Sequence, residues 1–475
     1  MRVFHGARDH ASAERSARAL QRLHEQLDTL RGCENGGEDF ERMEREIHAL
    51  FTEAEREVLG EELERLDVNL PYVEIDGRRH HRVLEGPETY MTAVGPVTAR
   101  RTLYRHGRER TVVPMEFRAG IVEGHWTPLA ARQASYLVAH MTPLEGESVL
   151  RELGNMAPSK SSLDRLPKGL SAGWEAQREA FEASLRDSFS VPGEAVTVAV
   201  SLDGVMVQMK DGERGAKRAQ SRAAGKHTKG PAGYQEVGCA TLSLYDADGE
   251  RLDTIRLGRM PESKKVTLKA TLGAELEAVL RHRPGVSVVK LADGARDNWP
   301  SLDALVPQGT AVVDFYHAAA HLKAALDAAY GETSAKGQAQ FKKLRHVLLE
   351  DVEGVERVIR ALAYLRTKHP RKKRIGEVLR YLRRNRARMR YAETKAQNLP
   401  IGSGVVEAAC KTLATQRLKR SGMRWRHAGG QAILTLRALA QSGRFDQAWA
   451  LLSSPYRQEV STPDNVVEFP RKRAA

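Results

Sequence analysis

Ala195–Val–Thr–Val–Ala–Val–Ser–Leu–Asp203–Gly204 is the stretch that decides the fold. Its run from Val196 to Leu202 is apolar on both faces, which marks a strand at the centre of a sheet rather than at an edge. Two more strand patterns come next, Glu236–Tyr245 and Arg251–Leu257, separated by the turn Asp246–Ala–Asp–Gly249. Leu268, Leu272, Leu276, Val279 and Leu280 then mark one helix face. Val286–Ser–Val–Val–Lys–Leu–Ala–Asp293 reads as a fourth strand, and Thr310–Ala–Val–Val–Asp314 as a fifth that leads into a helix.

Three strands, helix, strand, short helix, strand, helix is the order of an RNase-H-like α/β core with a mixed five-stranded sheet. The first and fourth strands then lie side by side at the sheet centre. Neighbouring strands are about 4.8 Å apart, so Asp203 and Asp293 come close enough to share a divalent ion. Asp297, four residues on and ahead of Pro300, is the rival for Asp293, which ends the strand and is preferred.

A third carboxylate sits far downstream, in Leu399–Pro–Ile–Gly–Ser–Gly–Val–Val–Glu407–Ala–Ala–Cys–Lys411. Gly402 and Gly404 bracket Ser403, a good N-cap, and the residues after them read as helix to about Arg420. Glu407 falls in the first turn, where the helix dipole alone favours an acid. Three carboxylates, each at the end of a regular element, are also what a two-metal phosphoryl-transfer site requires.

Composition narrows the partners. Lys and Arg number 75 against 61 Asp and Glu, a surplus of +14 that suits a polyanion. No run approaches a membrane span and the start, Met1–Arg–Val–Phe–His5, has no apolar signal region, so the expectation is a cytoplasmic, nucleoid-associated protein. Cys33, Cys239 and Cys410 form no CxxC pair, which leaves no local zinc module and no disulfide framework. Cys410 reads as a small buried thiol.

Residues 1–70 are amphipathic helices broken at Cys33–Glu–Asn–Gly–Gly37, open to pairing with a second copy or to packing as a hairpin within one chain. Residues 71–124 form a small β unit with two strands around Gly95–Pro96, made basic by Arg100, Arg101, Arg105, Arg108 and Arg110. Residues 125–192 are helical, with Ala157–Pro–Ser159 opening a helix that begins Lys160–Ser161 and carries Arg165, an arrangement resembling a helix-turn-helix. Reading DNA and a purely structural helix pair are both open for it. Val191–Pro–Gly193 marks a domain boundary, and 193–330 is the first part of the core.

Within that part, Lys210 to Lys229 is a Gly-rich basic insertion, a flexible hairpin or a DNA-tracking loop. Residues 331–398 form an all-helical insertion. From Lys336 to Lys395 it carries nineteen Lys or Arg against six acidic residues, concentrated at Arg371–Lys–Lys–Arg374 and from Arg380 to Arg390. Such a surface is costly to assemble without phosphates nearby, and a solvated helical face is the alternative. Residues 399–455 complete the core, and the polar tail 456–475, with Pro463 and Pro470, is expected to be disordered.

Taken together, Ser201–Leu–Asp–Gly204, Leu291–Ala–Asp–Gly–Ala–Arg296, Asp314–Phe–Tyr–His317, Gly402–Ser–Gly–Val–Val–Glu–Ala–Ala–Cys–Lys411 and Arg417–Leu–Lys–Arg–Ser–Gly–Met–Arg–Trp425 resemble the DDE transposases of bacterial insertion sequences of the Kra type, and more distantly the Mutator-like transposases. The likeness runs from about Val196 to Leu452. It implies a triad of Asp203, Asp293 and Glu407 binding two Mg²⁺ or Mn²⁺ ions, with cleavage and strand transfer at double-stranded DNA, both transposon ends and target. It also implies a homo-oligomer, dimer or higher. His317, in the Asp–x–x–His station with Asp314, is implied to touch the scissile phosphate or a base beside it; an N-capping Asp314 and a backbone-bonded His317 are the alternative. DNA contact is expected from Lys160, Ser161, Arg165, Arg371, Lys372, Lys373, Arg374, Lys411, Arg417, Lys419 and Arg420, and from Trp425 by stacking on an unpaired base. The absence of a cysteine-based zinc module in the N-terminal region departs from many transposases. A nuclease or resolvase that cuts without joining, and a domesticated binding protein, are the rival readings.

Overall fold

The computed structural model describes residues 8–32, 40–154, 156–210, 212–226, 233–294 and 298–463. Two compact units emerge, Met1–Ala176 with Asp446–Ala475, and Gln177–Phe445. The boundary thus falls some fifteen residues before the Val191–Pro–Gly193 break read from the sequence. The intervening helix packs onto the second unit through Thr271 Oγ1, which donates to Glu182 at 3.1 Å.

In the first unit, α1 (Arg8–Gly32) and α2 (Phe40–Arg65) pack on each other, with Arg22 paired to Glu57. Leu20, Phe40, Met43 and Phe51 nevertheless stay exposed on them. An antiparallel sheet comes next, β1 (Tyr72–Ile75), β2 (Arg78–Thr92) and β3 (Gly95–Arg105), in the order β3-β2-β1. The β2–β3 turn closes with Thr92 Oγ1 donating to Gly95 O at 2.7 Å, so the strands are longer than the sequence suggested. Two arginines of this basic unit are spent within it, Arg100 on Glu85 and Arg101 on Glu88 and Glu116. The last strand, β9 (Val460–Ser461), pairs with β1, so the segment expected to be disordered is in part a sheet edge.

Helices α3 (Pro114–Ala119), α4 (Pro128–His140), α5 (Pro143–Leu153) and α6 (Lys160–Ala176) complete that unit. Thr142 and Glu145 make a capping box that fixes the start of α5. Helix α6 buries Leu163, Leu166, Leu170 and Trp174, and leaves Lys160, Ser161 and Arg165 exposed on its first turns.

The second unit is built on a mixed sheet of β4 (Thr197–Gln208), β5 (Tyr234–Tyr245), β6 (Arg251–Arg259), β7 (Ser287–Ala292) and β8 (Thr310–Val313). Its order is β6-β5-β4-β7-β8, with β4 central, antiparallel to β5 and parallel to β7, as the two-sided apolar run predicts. Helix α7 (Arg178–Asp187) precedes β4. In place of a structureless basic hairpin, α8 (Gly212–Ala223) follows it. Further on come α9 (Val266–His282), α10 (Trp299–Leu305), α11 (Phe315–Tyr330), α12 (Ala335–Glu350), α13 (Gly354–Lys368), α14 (Lys373–Asn385) and α15 (Tyr391–Ala396). Helices α12 to α15 are not a separate body. Leu348, Val358, Leu362, Ile375, Val378 and Leu382 belong to the same buried cluster as Val198, Leu242 and Val289 of the sheet.

The chain ends this unit with α16 (Gly404–Ala409), a π-turn at Cys410–Thr415, α17 (Gln416–Leu418) and α18 (His427–Gln441), before α19 (Phe445–Ser453). Helix α18 lies along β6, where Gln431 accepts from Met260 N–H at 2.9 Å and donates to Gly258 O. No helix among the described residues is long and apolar enough to cross a membrane.

Arg444 clamps this unit shut by a bidentate bond to Glu275 of α9, at 2.9 and 3.0 Å, with both side chains buried and the guanidinium over the Phe189 ring. Removing one partner strands a buried charge. Glu275→Ala is expected to lower the unfolding free energy by about 3–5 kcal/mol, measured by urea denaturation. The double change Glu275→Leu with Arg444→Met is expected to recover most of that loss.

Candidate active site

Strand register builds the site. Pairs Thr197 with Ser287 through Val200 with Lys290 join β4 to β7, and the same offset carried forward sets Asp203 beside Asp293. Between β7 and β8 the last pair is Ala292 with Val313, which sets Asp293 beside Asp314, and Asp314 N–H donates to Ala292 O at 2.9 Å. Three carboxylates therefore stand in a row at one end of the parallel strands. Side chains in register on parallel strands share a face.

Asp203 is half-buried, and its Oδ2 accepts from the Cys410 thiol at 3.4 Å. Burial raises its pKa above the usual range, and the neighbouring Asp293 charge adds to the rise, against the Gly204 amide, Cys410 and Lys265, which favour the ionised form. Lys265 Nζ donates to the Asp203 carbonyl at 3.4 Å and to Glu236 at 3.0 Å. Opposite Asp203 in the β4–β5 ladder lies Cys239, whose thiol, with burial, pushes the pKa of Cys410 upward and keeps that donor protonated.

Asp293 is held from its own loop, by Asn298 Nδ2 on Oδ1 at 3.3 Å and by Trp299 Nε1 on the carbonyl at 2.9 Å. Gly294 is required after it. A Cβ there would sit 2.1 Å from the ring of Tyr381, which α14 brings onto the loop, and Arg384 donates to Gly294 O at 2.8 Å. Tyr381 stacks on His321 with ring centroids 4.1 Å apart. Burial and the Arg374 charge lower the pKa of His321, which favours the neutral imidazole.

Asp314 is fully buried and takes the structural role left open for it. It caps α11, accepting from His317 N–H at 2.6 Å, and also accepts from Ser403 N–H, while Phe315 N–H donates to Ile401 O at 2.9 Å. These bonds dock the Pro400–Ser403 turn at the sheet end and set the start of α16. Glu407 then meets His317 Nε2 at 3.1 Å and Ser403 Oγ at 3.0 Å. His317 thus bonds a carboxylate through its ring while its backbone amide joins the cap. One turn after Glu407, the helix widens into the π-turn where Cys410 reaches Asp203. Such bulges recur at functional sites.

A cleft of about 490 Å³ is lined by Asp203, Asp293, Asn298, Lys264, Lys265 and Lys269, among others, and Glu407 is not on its wall. Among the described residues no three His, Cys, Asp or Glu side chains close around one point as metal ligands. The structure therefore brings Asp203 and Asp293 together, and holds Glu407 next door on His317. Asp297 and Cys33 lie outside the described residues. No protein-family model matches this chain, and no curated protein matches it.

Among the basic residues singled out from sequence, Arg371, Lys372, Lys373, Arg374, Lys411, Lys419 and Arg420 are exposed. Arg417 is a correction. It is 2% exposed and turned inward over the Trp425 ring, because the π-turn rotates that position into the core. Trp425 is half-buried and bound: its indole donates to Leu418 O at 2.8 Å and its backbone pairs with Gln208 and Lys210 at the end of β4. Residues that sequence reasoning missed include His321, Tyr381 and Lys265. The i, i+4 spacing of His317 and His321 was the one signal available.

A carboxyl that keeps its proton to a higher pH in the native state than in the unfolded chain costs stability once ionised, and that cost disappears at low pH. Asp203→Asn should therefore raise Tm at pH 7 in divalent-free buffer. The gain should fade as pH drops to the unfolded Asp value of 3.8. A Tm at pH 7 equal to or below the parent's runs against the assigned environment.

Proposed function

We propose that this chain is a DNA transposase of the DDE type, cleaving phosphodiester bonds at element ends and joining them to target DNA on an RNase-H-like core. The observation that carries the reading is the parallel offset of β4 against β7, with Val200 beside Lys290, which carried three residues on brings Asp203 and Asp293 together at the sheet end where the Gly402–Lys411 turn and helix are docked. The described residues of the five sequence stations that resemble the Kra-type and Mutator-like enzymes fall around this end. Hard divalent ions prefer carboxylate oxygens with open positions for water and phosphate, and the neighbouring Asp203 and Asp293 carboxylates are donors of that chemistry.

Asp203 and Asp293 would hold Mg²⁺ or Mn²⁺, with Glu407 as third ligand. Two bound ions supply stabilisation of the charge that grows on the attacking and leaving oxygens of an in-line displacement. Burial, with the Asp293 charge adding to it, raises the Asp203 pKa, and bound cations would answer that electrostatic demand. His317 and Ser403 orient the Glu407 carboxylate, and the ring of His321 backs the Asp293 loop through Tyr381. The exposed charges of the Arg371–Arg374 turn, with Lys411, Lys419 and Arg420, would meet duplex phosphates, and Lys160, Ser161 and Arg165 would read the ends. Arg417 has no such part. The exposed apolar side chains of α1 and α2 suit a second copy of the chain in a homo-oligomer.

The test uses the full chain and a plasmid carrying the gene's own flanks. Cleaved and joined products are expected with Mg²⁺ and none with EDTA. Asp203→Asn and Asp293→Asn should each lower both reactions by roughly 10³-fold or more while leaving DNA affinity within about twofold. Cleavage with no joined product selects a nuclease or resolvase, and an Asp203→Asn protein as active as the parent removes the assignment.

A further inference from the structure

Between β6 and α9 the chain passes through Glu262–Ser–Lys264–Lys265, where two consecutive lysines have left-handed backbones, φ 53° and ψ 16° at Lys264 and φ 55° and ψ 42° at Lys265. Five non-glycine residues have positive φ among the described residues, and these two alone are neighbours. An L residue in this conformation brings its Cβ too close to the following carbonyl oxygen, and Gly, Asn or Asp would be the ordinary occupants. Strain of this kind persists where surrounding structure overrides it. Here the turn carries lysines onto the wall of the cleft that holds Asp203 and Asp293.

The charges of that wall are unequal. Lys265 is spent on Glu236 and on the Asp203 carbonyl. Glu262 keeps its charge but is held at the start of α9, where it accepts from Leu268 N–H at 2.9 Å. Lys264 and Lys269 line the same cleft with no ion pair among the described residues. One sits in the strained turn and the other near the start of α9, so two separate elements bring an unspent cation to one wall. The cleft, at about 490 Å³, is in the range of small-ligand sites. Its ligand must be anionic toward the lysines and able to lie beside two carboxylates that call for a cation. A phosphodiester meets both conditions.

We propose that Lys264 and Lys269 form a seat for a nucleic-acid backbone phosphate, adjoining the bond that lies at Asp203 and Asp293. The lysines hold the strand as point charges, so the seat is indifferent to base sequence. Its place beside a scissile bond rests on the transposase reading; the seat itself rests on the cleft and its unspent cations.

The experiment measures fluorescence anisotropy of labelled duplexes of two unrelated sequences with the full chain, across a series of salt concentrations. The variant Lys264→Asn with Lys269→Gln removes both charges, and Asn tolerates the left-handed turn, so the fold is kept. The slope of log affinity against log salt should become shallower by about 2, equally for both sequences, and Lys264→Arg with Lys269→Arg should restore it. An unchanged slope overturns the proposal. So does a slope that is unchanged while thermal stabilisation by thymidine monophosphate is lost, since the seat then belongs to a free nucleotide. A parent that binds no DNA overturns both the seat and the transposase reading. A slope that falls as expected in a protein that cleaves nothing with Mg²⁺ leaves the seat standing and removes the transposase reading alone.

Discussion

The parallel pairing of β4 with β7 is the constraint on which the rest of the second unit depends, since the register between them alone sets Asp203 beside Asp293. A slip of one residue would turn one carboxylate to the opposite face of the sheet. The register is held by the ladder bonds and by close packing, because Val198, Val200, Val289 and Leu291 are all buried in one cluster. That placement is electrostatically costly. Asp203, partly out of water and near the Asp293 charge, resists ionisation, and the site answers with the Gly204 amide, Cys410 and Lys265.

Asp314 plays the complementary part. Its buried carboxylate accepts backbone N–H groups from two segments far apart in sequence, at His317 and Ser403, and so ties the helix after β8 to the turn before α16. Tyr391, whose hydroxyl donates to Val313 O at 2.9 Å, anchors the end of the helical insertion at the same strand. The insertion is therefore continuous with the core. Through Tyr381 on Gly294 and Arg384 on its carbonyl, it also shapes the loop that carries Asp293. A side chain in the inserted helices can thus influence a carboxylate about ninety positions earlier.

Charge is sorted by structure in a way that composition conceals. The basic β unit spends Arg100 and Arg101 on its own glutamates, and Arg417 is buried, whereas the turn into α14 and its first residue present Arg371, Lys372 and Lys373 to solvent. The net +14 is therefore a statement about a few exposed faces and the cleft, and each face has to be located before it can be given a partner.

Strand order, the centrality of β4, the neighbouring positions of Asp203 and Asp293 and the helix that begins near Glu407 were all legible, because apolar periodicity and capping residues are local and a parallel pairing follows from the order of elements. The sequence by itself determined the strands and helices of the five-stranded core and their order, though not α8 or β9. Only the tertiary structure decided that Asp314 is a buried tie, that Arg417 turns inward past a π-turn, that Glu407 rests on His317, and that Tyr381 and the two strained lysines reach the site. Those facts depend on rotation about helix axes and on contacts between residues far apart in the chain, and neither is written in the spacing of any single segment.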